Sequence, residues 1–153
     1  MELYHVGYVV DDIEKAMAAL SATAGRTWSE IRPRHLKVQV DDSPEILQVE
    51  LLAAYSRPGP PYVELIQDVS GGIWSGGAHG GARLDHLGYW EADLPGRVAA
   101  LRAAGGTQVV HAVDDSGNPV RFAYMRAPGG GPWLELVDES VKPELMAWIE
   151  GTA

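Results

Sequence analysis

The sequence predicts an α+β fold made of two tandem βαβββ modules whose curved sheets meet around a cleft. Three observations lead to this prediction. The motif His-x-Gly-Tyr occurs twice, each copy is followed by a helix-like run, and each half ends in an apolar strand with a single glutamate. Residues 4–20 align without a gap on residues 85–101, with seven identities in seventeen positions. The chain therefore uses one structural unit twice.

The first module is assigned to about residues 1–67. Residues 2–10 are rich in β-branched and aromatic side chains, which favours a strand. Asp11-Asp12 then offers an N-cap for a helix over residues 13–24, which ends at Gly25. Strand-like runs follow at residues 28–31, 36–40, 46–55 and 62–66.

A glycine-rich segment, residues 68–83, is predicted to link the modules. Six of its sixteen residues are glycine, a composition typical of a flexible connector, and Ile73-Trp74 is its apolar anchor. The second module, about residues 84–138, repeats the plan with a strand, a helix and three strands, at 84–91, 94–104, 107–111, 119–126 and 132–137. A C-terminal helix over residues 142–150 is predicted to act as a lid over exposed core.

Composition limits the function classes. A chain of 153 residues with 46% hydrophobic residues can form one globular domain. The net charge of −9 and the lack of a basic cluster disfavour nucleic acid and anionic membranes as partners. The N-terminal residues lack the features of a signal peptide, and no run is apolar enough to span a bilayer, so a cytoplasmic location is expected. We expect a small-molecule substrate and a homodimer.

Two histidines and two glutamates, one of each in each half, are the candidate metal ligands. Burying such residues on apolar strands is costly unless they are paired or bind a cation. The absence of cysteine leaves nitrogen and oxygen ligands, and two imidazoles with two carboxylates suit one divalent ion such as Co, Zn, Ni, Mn or Fe. The predicted ligands are His5, Glu64, His86 and Glu135.

Alternation along the strands predicts which side chains share the cleft. His5 is expected to share its face with Leu3 and Gly7, whereas Tyr8 and Tyr89 face the helices. The glycine two residues after each histidine, Gly7 or Gly88, is expected to leave room beside the imidazole for a bound group.

These motifs resemble those of the vicinal oxygen chelate superfamily, the glyoxalase, bleomycin-resistance and extradiol-dioxygenase group. The resemblance covers about residues 3–138 and rests on the His5 strand with its helix, Tyr62-Val63-Glu64-Leu65, His86-Leu87-Gly88-Tyr89 and Trp133-Leu134-Glu135-Leu136. It implies the fold and metal binding more specifically than the substrate, because the superfamily carries out many reactions on one scaffold.

Glu64 as second ligand resembles the four-ligand set of glyoxalase I and methylmalonyl-CoA epimerase. The resemblance implies an isomerase or epimerase that transfers a proton next to a carbonyl, with Glu135 the favoured base and Glu64 the alternative. Two other functions stay open: a glyoxalase-type lyase acting on a thiol adduct, and a protein that binds a small molecule without catalysis.

Two questions about the site stay open at this stage. A second base, as in the epimerase, could be Glu45, Gln48 or Glu50. Arg32, Arg34 and Arg121 could bind an anionic group, as arginines do in glyoxalase I, or could be solvated surface charges.

Bulky aromatic residues at or near the metal-facing side predict a broad, largely apolar cleft. A hydrophobic ketone or acyl-CoA is therefore the expected substrate. The predicted substrate-binding residues are Trp90, Trp133, Tyr62, Phe122, Tyr124 and Trp74.

Overall fold

The computed structural model describes residues 1–75 and 81–152, and within them the chain has a mixed α+β fold, as predicted. The strands are β1 (Glu2–Val10), β2 (Thr27–Trp28), β3 (Arg32–Val40), β4 (Ile46–Arg57), β5 (Tyr62–Asp68), β6 (Ala82–Glu91), β7 (Thr107–Val113), β8 (Pro119–Arg126) and β9 (Trp133–Asp138). The helices are α1 (Ile13–Ala24), α2 (Leu94–Ala103) and α3 (Lys142–Glu150), and a 3-10 turn over Glu139–Val141 precedes α3.

Local capping fixes the first two helices. The Asp12 carboxylate accepts a hydrogen bond from the backbone N–H of Lys15, and α1 ends where Gly25 adopts a φ of 62°. The Asp93 carboxylate caps α2 in the same way, through the backbone N–H of Gly96. Helix α1 has the predicted bounds, and α2 ends one residue before the predicted end at residue 104.

The strands form one sheet that closes on itself. Its order is β2-β4-β3-β7-β8-β9-β6-β1-β5, and β4 also pairs with β5, which joins the two sides of the sheet. Strand β1 pairs antiparallel with β6 and parallel with β5, and β6 pairs parallel with β9. The strands β5, β1, β6 and β9 therefore lie side by side, and they carry the four predicted metal ligands.

The strand prediction is least accurate around residues 28–40. The predicted strand at 28–31 is reduced to the two-residue β2, whereas β3 begins at Arg32 and not at residue 36. Arg32 and Arg34 alternate with exposed residues and lie on the same face as Leu36 and Val38. Charged residues on the inner face hid the alternation of apolar and polar residues that marks a strand.

The two faces of the sheet carry different clusters. On the outer face, Tyr8 packs against α1 beside Ile13, and Tyr89 packs against α2 beside Leu94, as alternation predicts. The inner face holds the main core, which includes Trp148 of α3. Helix α3 thus packs against the inside of the sheet.

The predicted linker is anchored at its apolar pair. Trp74 is only 1% exposed, and its ring lies edge-on to Tyr124 with 5.6 Å between the centroids. Strand β6 begins at residue 82 and so takes in the last predicted linker residues, while residues 76–80 lie outside the described part of the chain. Among the described residues, no helix has the length and apolar character needed to cross a bilayer.

Candidate metal and substrate site

Strand pairing brings the four predicted ligands together in two rows. Gly7 of β1 pairs with Glu64 on one side and with His86 on the other. Gly88 of β6 pairs with His5 on one side and with Glu135 on the other. Each row therefore contains a glutamate, a central glycine and a histidine, and all four functional side chains are buried.

The two glycines have a different role from the predicted one. A Cβ atom on Gly7 would lie 2.0 Å from Cε1 of His86, and a Cβ atom on Gly88 would lie 2.0 Å from Cε1 of His5. Each glycine makes room for the imidazole of the opposite strand and not for a bound group. The prediction was wrong on this point because the antiparallel pairing of β1 with β6 cannot be read from either motif alone.

The ligand atoms face one another at short distances. His5 Nε2 lies 2.9 Å from His86 Nε2 and 3.0 Å from Glu135 Oε2. His86 Nε2 lies 2.9 Å from Glu64 Oε2, and the two remaining histidine–glutamate distances are 3.3 Å. All four atoms lie within 4.8 Å of one another.

Two partners of these ligands were missed in the sequence. The Asp85 carboxylate lies 3.0 Å from Nδ1 of His86, and it also pairs with Arg83 at 3.0 Å. The Tyr55 hydroxyl donates a 2.5 Å hydrogen bond to Oε1 of Glu64. A carboxylate directly before a candidate histidine ligand was the one available signal, because metal-binding histidines commonly donate their other ring nitrogen to such a group.

The environments of the two histidines are unequal. In the first copy of the repeat, Tyr4 precedes His5 where Asp85 precedes His86 in the second copy. Nδ1 of His5 therefore lacks a carboxylate beside it and has no hydrogen-bond partner among the described residues. The register shifts between Leu3 and His5, so Tyr4 turns inward beside His5 while Leu3 is 36% exposed. Simple alternation had placed Leu3, and not Tyr4, on the face of His5.

Burial and charge act in opposite directions on the pKa values of the four groups. Burial lowers the pKa of each histidine, but the neighbouring carboxylates outweigh it, so the pKa of His5 is raised and that of His86 is raised well above its ordinary value. Burial raises the pKa of each glutamate, but the two histidines outweigh it and hold the pKa of Glu64 and Glu135 below the ordinary value. The four groups favour one another's charged forms.

This donor set fits a divalent cation. Oε2 of Glu135 is buried and accepts no well-aligned hydrogen bond among the described residues, although it lies 3.0 Å from His5 Nε2. Ligands bound about 2.0–2.2 Å from one ion have neighbouring donor atoms about 3 Å apart, which is the spacing observed. On binding a 2+ ion the two imidazoles would release their protons and the two carboxylates would balance its charge, so the residues fit the predicted metal.

A cavity of about 70 Å³ leads to this group. Glu64 and Glu135 line it, whereas His5 and His86 are fully buried behind them. Leu145 and Trp148 of α3 line the cavity too, so the C-terminal helix packs over part of the inner face. The cavity is narrower than the predicted broad, apolar cleft, and its lining includes three arginines, Arg32, Arg34 and Arg121.

The six predicted aromatic residues divide into two groups. Trp74, Phe122 and Tyr124 line the cavity. Trp90 is outside the lining and stacks on Tyr4, with 3.8 Å between their centroids. Tyr62 and Trp133 are also outside the lining. They begin the ligand-bearing strands β5 and β9, directly before Val63 and Leu134.

The three candidate second bases lie elsewhere. Glu45, Gln48 and Glu50 are all exposed, and none of them lines the cavity. In β4 the inward positions near them are occupied by Val49 and Leu51. A second base from this segment is therefore not supported.

A larger groove of about 710 Å³ lies on the outer face, between α1 and β1. It is lined mainly by small and apolar residues such as Val10, Ala16 and Leu20. None of the four histidine and glutamate side chains reaches it. Glu64 and Glu135 line the smaller inner cavity and not this groove.

Comparisons with known proteins agree with this fold. Residues 4–124 match the family model described as Glyoxalase/Bleomycin resistance protein/Dioxygenase superfamily. A comparison with curated protein sequences finds no significant match.

Solved structures show the same fold at low sequence identity. Methylmalonyl-CoA epimerase from Mycobacterium tuberculosis is 20% identical with a TM-score of 0.59, over 89% of this chain and 86% of that one. A variant of the Streptomyces coelicolor epimerase in complex with 2-nitronate-propionyl-CoA is 17% identical with a TM-score of 0.56, over 90% and 96%. A hypothetical protein from Bacillus halodurans is 14% identical with a TM-score of 0.60, over 90% and 93%.

The family match includes three of the four buried ligand residues, and the fourth, Glu135, lies beyond its end on the strand paired with β6. Fold, strand pairing and family model thus agree: the chain belongs to the glyoxalase/bleomycin resistance protein/dioxygenase superfamily.

Proposed function

We propose that this protein is a metal-dependent isomerase or epimerase that transfers a proton next to a carbonyl group. The observation that carries the proposal is that Glu64 and Glu135, and not the histidines, line the cavity. A carboxylate in a poorly hydrated cavity can take a proton from a carbon acid and return it. Methylmalonyl-CoA epimerases share the fold, in keeping with this reaction class.

The two glutamates are proposed to have different roles. Glu64 is held by the short hydrogen bond from Tyr55, whose pKa is raised well above its ordinary value by burial and then by Glu64, so this hydroxyl stays a donor at neutral pH. Glu135 has no such tether on Oε2. We assign proton transfer to Glu135, with Glu64 as the alternative base.

The buried histidines and both carboxylates are proposed to hold one divalent ion. A bound divalent ion supplies Lewis-acid stabilisation of the negative charge that develops on a carbonyl oxygen. Asp85 fixes the ring of His86 through Nδ1, which leaves its Nε2 facing the other ligands. The aromatic lining contributed by Trp74, Phe122 and Tyr124 limits the access of water.

The repeat found in the sequence is proposed to be a repeat of the structure too. The neighbouring strands β3-β4-β5-β1 of the first half recur in the same order as β7-β8-β9-β6 in the second half. We propose that these are two tandem βαβββ modules and that each contributes one histidine and one glutamate to the site.

The purified protein is expected to bind about one divalent ion, and the His86→Ala variant is expected to lose most of this affinity. The reason is that the variant removes an imidazole whose Nε2 faces all three other ligand atoms. Elemental analysis after loading with each of Co, Zn, Ni, Mn and Fe measures the stoichiometry. His35→Ala, at an exposed histidine of β3, is the matched control. Wild-type protein that retains none of these ions would remove the metal from the proposal.

The Asp85→Asn variant is expected to bind the metal about 10–100-fold more weakly, because His86 loses the carboxylate that orients its ring. A competition titration with a chelator measures the change. Asp93→Asn is the control, since asparagine caps a helix as well as aspartate does. Equal affinities for the wild type and Asp85→Asn would show that Asp85 does not position the ligand.

Incubation of the metal-loaded protein with carbonyl compounds and acyl-CoA esters in deuterium oxide tests the reaction itself. Metal-dependent deuterium uptake at the carbon next to the carbonyl, followed by NMR, is the expected result. Uptake or turnover that requires glutathione, mycothiol or a similar thiol would indicate the lyase instead. Stoichiometric binding without exchange or turnover would indicate a binding protein.

A further inference from the structure

Three arginines from two separate strands face the same cavity as the glutamates. Arg32 and Arg34 lie on the inner face of β3, and Arg121 lies on β8. They are half-buried, and the inner face of a strand is where apolar residues normally lie. Their convergence places three positive charges in the cavity lining, beside the carboxylates of Glu64, Glu135 and Glu144, in a protein whose net charge is −9.

The backbone at Arg121 directs this side chain into the cavity. Its φ is 64°, in the left-handed region that arginine rarely adopts. Alternation would place Arg121 and Phe122 on opposite faces, yet both line the cavity. Strained backbone of this kind is concentrated at functional sites, where the surrounding structure holds it in place.

The charges of the three arginines are only partly neutralised. Arg32 pairs with Glu30 at 2.6 Å. Arg121 lies 3.5 Å from Glu144 of α3, whose side chain is 65% exposed, so this second pair is weak. The guanidinium carbon of Arg34 lies 5.7 Å from the ring centroid of Trp148, and no carboxylate of the described residues is within ion-pairing distance of it. Arg34 and Arg121 are therefore available to a ligand, with Glu144 as a weak competitor.

We infer that Arg34 and Arg121 bind an oxyanion, carboxylate or phosphate, at the end of the substrate distant from the reacting carbonyl. Guanidinium groups bind both oxyanions in charge-assisted pairs, and they do so strongly where water is partly excluded. The cavity of about 70 Å³ favours a small organic anion over a bulky neutral ketone. This inference rests on the proposed function, since it supplies the substrate class for the same site.

Levulinate and methyl levulinate test the inference, because the acid and its ester share the ketone and differ in the negative charge. By calorimetry, zinc-loaded protein is expected to bind levulinate about tenfold or more tightly than the ester, with an affinity that falls as salt is added. Hydroxyacetone phosphate in a third titration distinguishes phosphate from carboxylate, and tighter binding of either anion than of the ester supports the inference. Equal binding of all three compounds would overturn it.

Variants locate the anion site. Arg34→Gln and Arg121→Gly are expected to lose the preference for the anion, whereas Glu144→Gln strengthens anion binding by removing the competitor. Glycine suits the φ of residue 121, so Arg121→Gly is expected to fold at least as stably as the wild type. Anion binding that is unchanged in both arginine variants would overturn the inference.

Two controls match these variants. Asp42→Gly relieves a similar positive φ, 61°, in the turn between β3 and β4, away from the cavity. Arg126→Gln removes an exposed arginine of the same strand β8. Neither control is expected to alter anion binding.

The proposed function and this inference fail in different ways. Arginine-dependent binding of the anions, with no proton exchange for any carbonyl compound, would retain the anion site and contradict the isomerase. Proton exchange that is equally fast for the acid and the ester, and equal in the arginine variants, would retain the isomerase and contradict the anion site.

Discussion

The Glu135→Gln variant is expected to bind the metal ion but to exchange the proton next to the substrate carbonyl about 10²–10⁴-fold more slowly than the wild type. Glutamine keeps the size of the side chain but cannot accept a proton at neutral pH. The side chain of Glu135 lines the cavity, and its Oε2 accepts no well-aligned hydrogen bond among the described residues. Deuterium uptake at saturating metal, with bound metal measured in the same sample, gives the rate.

Two other glutamates that line the cavity provide the comparison. Glu144→Gln is not expected to slow the exchange, because this exposed side chain lies outside the ligand group. Glu64→Gln keeps an oxygen that can accept the Tyr55 hydrogen bond but removes one negative charge from the ligand group, so it is expected to weaken metal binding. Unchanged exchange in Glu135→Gln together with abolished exchange in metal-loaded Glu64→Gln would transfer the role of base to Glu64.

The Gly88→Ala variant is expected to lose high-affinity metal binding and to unfold at a temperature several degrees lower than the wild type. The new methyl group would lie 2.0 Å from Cε1 of His5, a distance that requires the ring or the strand to move. Overpacking of this kind typically costs about 1–3 kcal/mol of the free energy of unfolding. Chelator titration and a thermal melt measure the two effects.

A second substitution tests whether the clash with the ring is the cause. Adding His5→Ala to Gly88→Ala removes the ring, so stability is expected to recover while metal binding stays lost. The same design applies to Gly7→Ala with His86→Ala, the equivalent pair in the other row. Gly88→Ala with wild-type metal affinity would contradict the position of the histidine over its cross-strand glycine.

The candidate ligands and most elements could be predicted because their signals are local. Asp12 and Gly25 mark the two ends of α1 within a few residues of sequence, and the predicted bounds were correct. The two copies of His-x-Gly-Tyr and the two glutamate-bearing strands suggested one group of four side chains. Alternation along each strand also placed Tyr8 and Tyr89 correctly against the helices.

The contacts within the site depend on pairing between strands far apart in sequence. Register decides that Gly7 lies opposite His86, a residue 79 positions later, and neither motif carries that information. Tyr55 reaches Glu64 only because β4 pairs with β5, and the turn between them, residues 58–61, consists of four consecutive proline or glycine residues. These pairings bring the donor atoms of the four predicted ligands within 4.8 Å of one another.

The sequence by itself determined the fold class, the helix ends and the four residues able to bind a metal, because periodicity and capping act over short stretches of chain. Only the tertiary structure decided which side chains line the cavity. The register shift turns Tyr4 inward, and the positive φ at Arg121 breaks the alternation on β8. Irregularities of this kind are stabilised by packing against distant strands and against α3. For this reason no local pattern in the sequence predicts them.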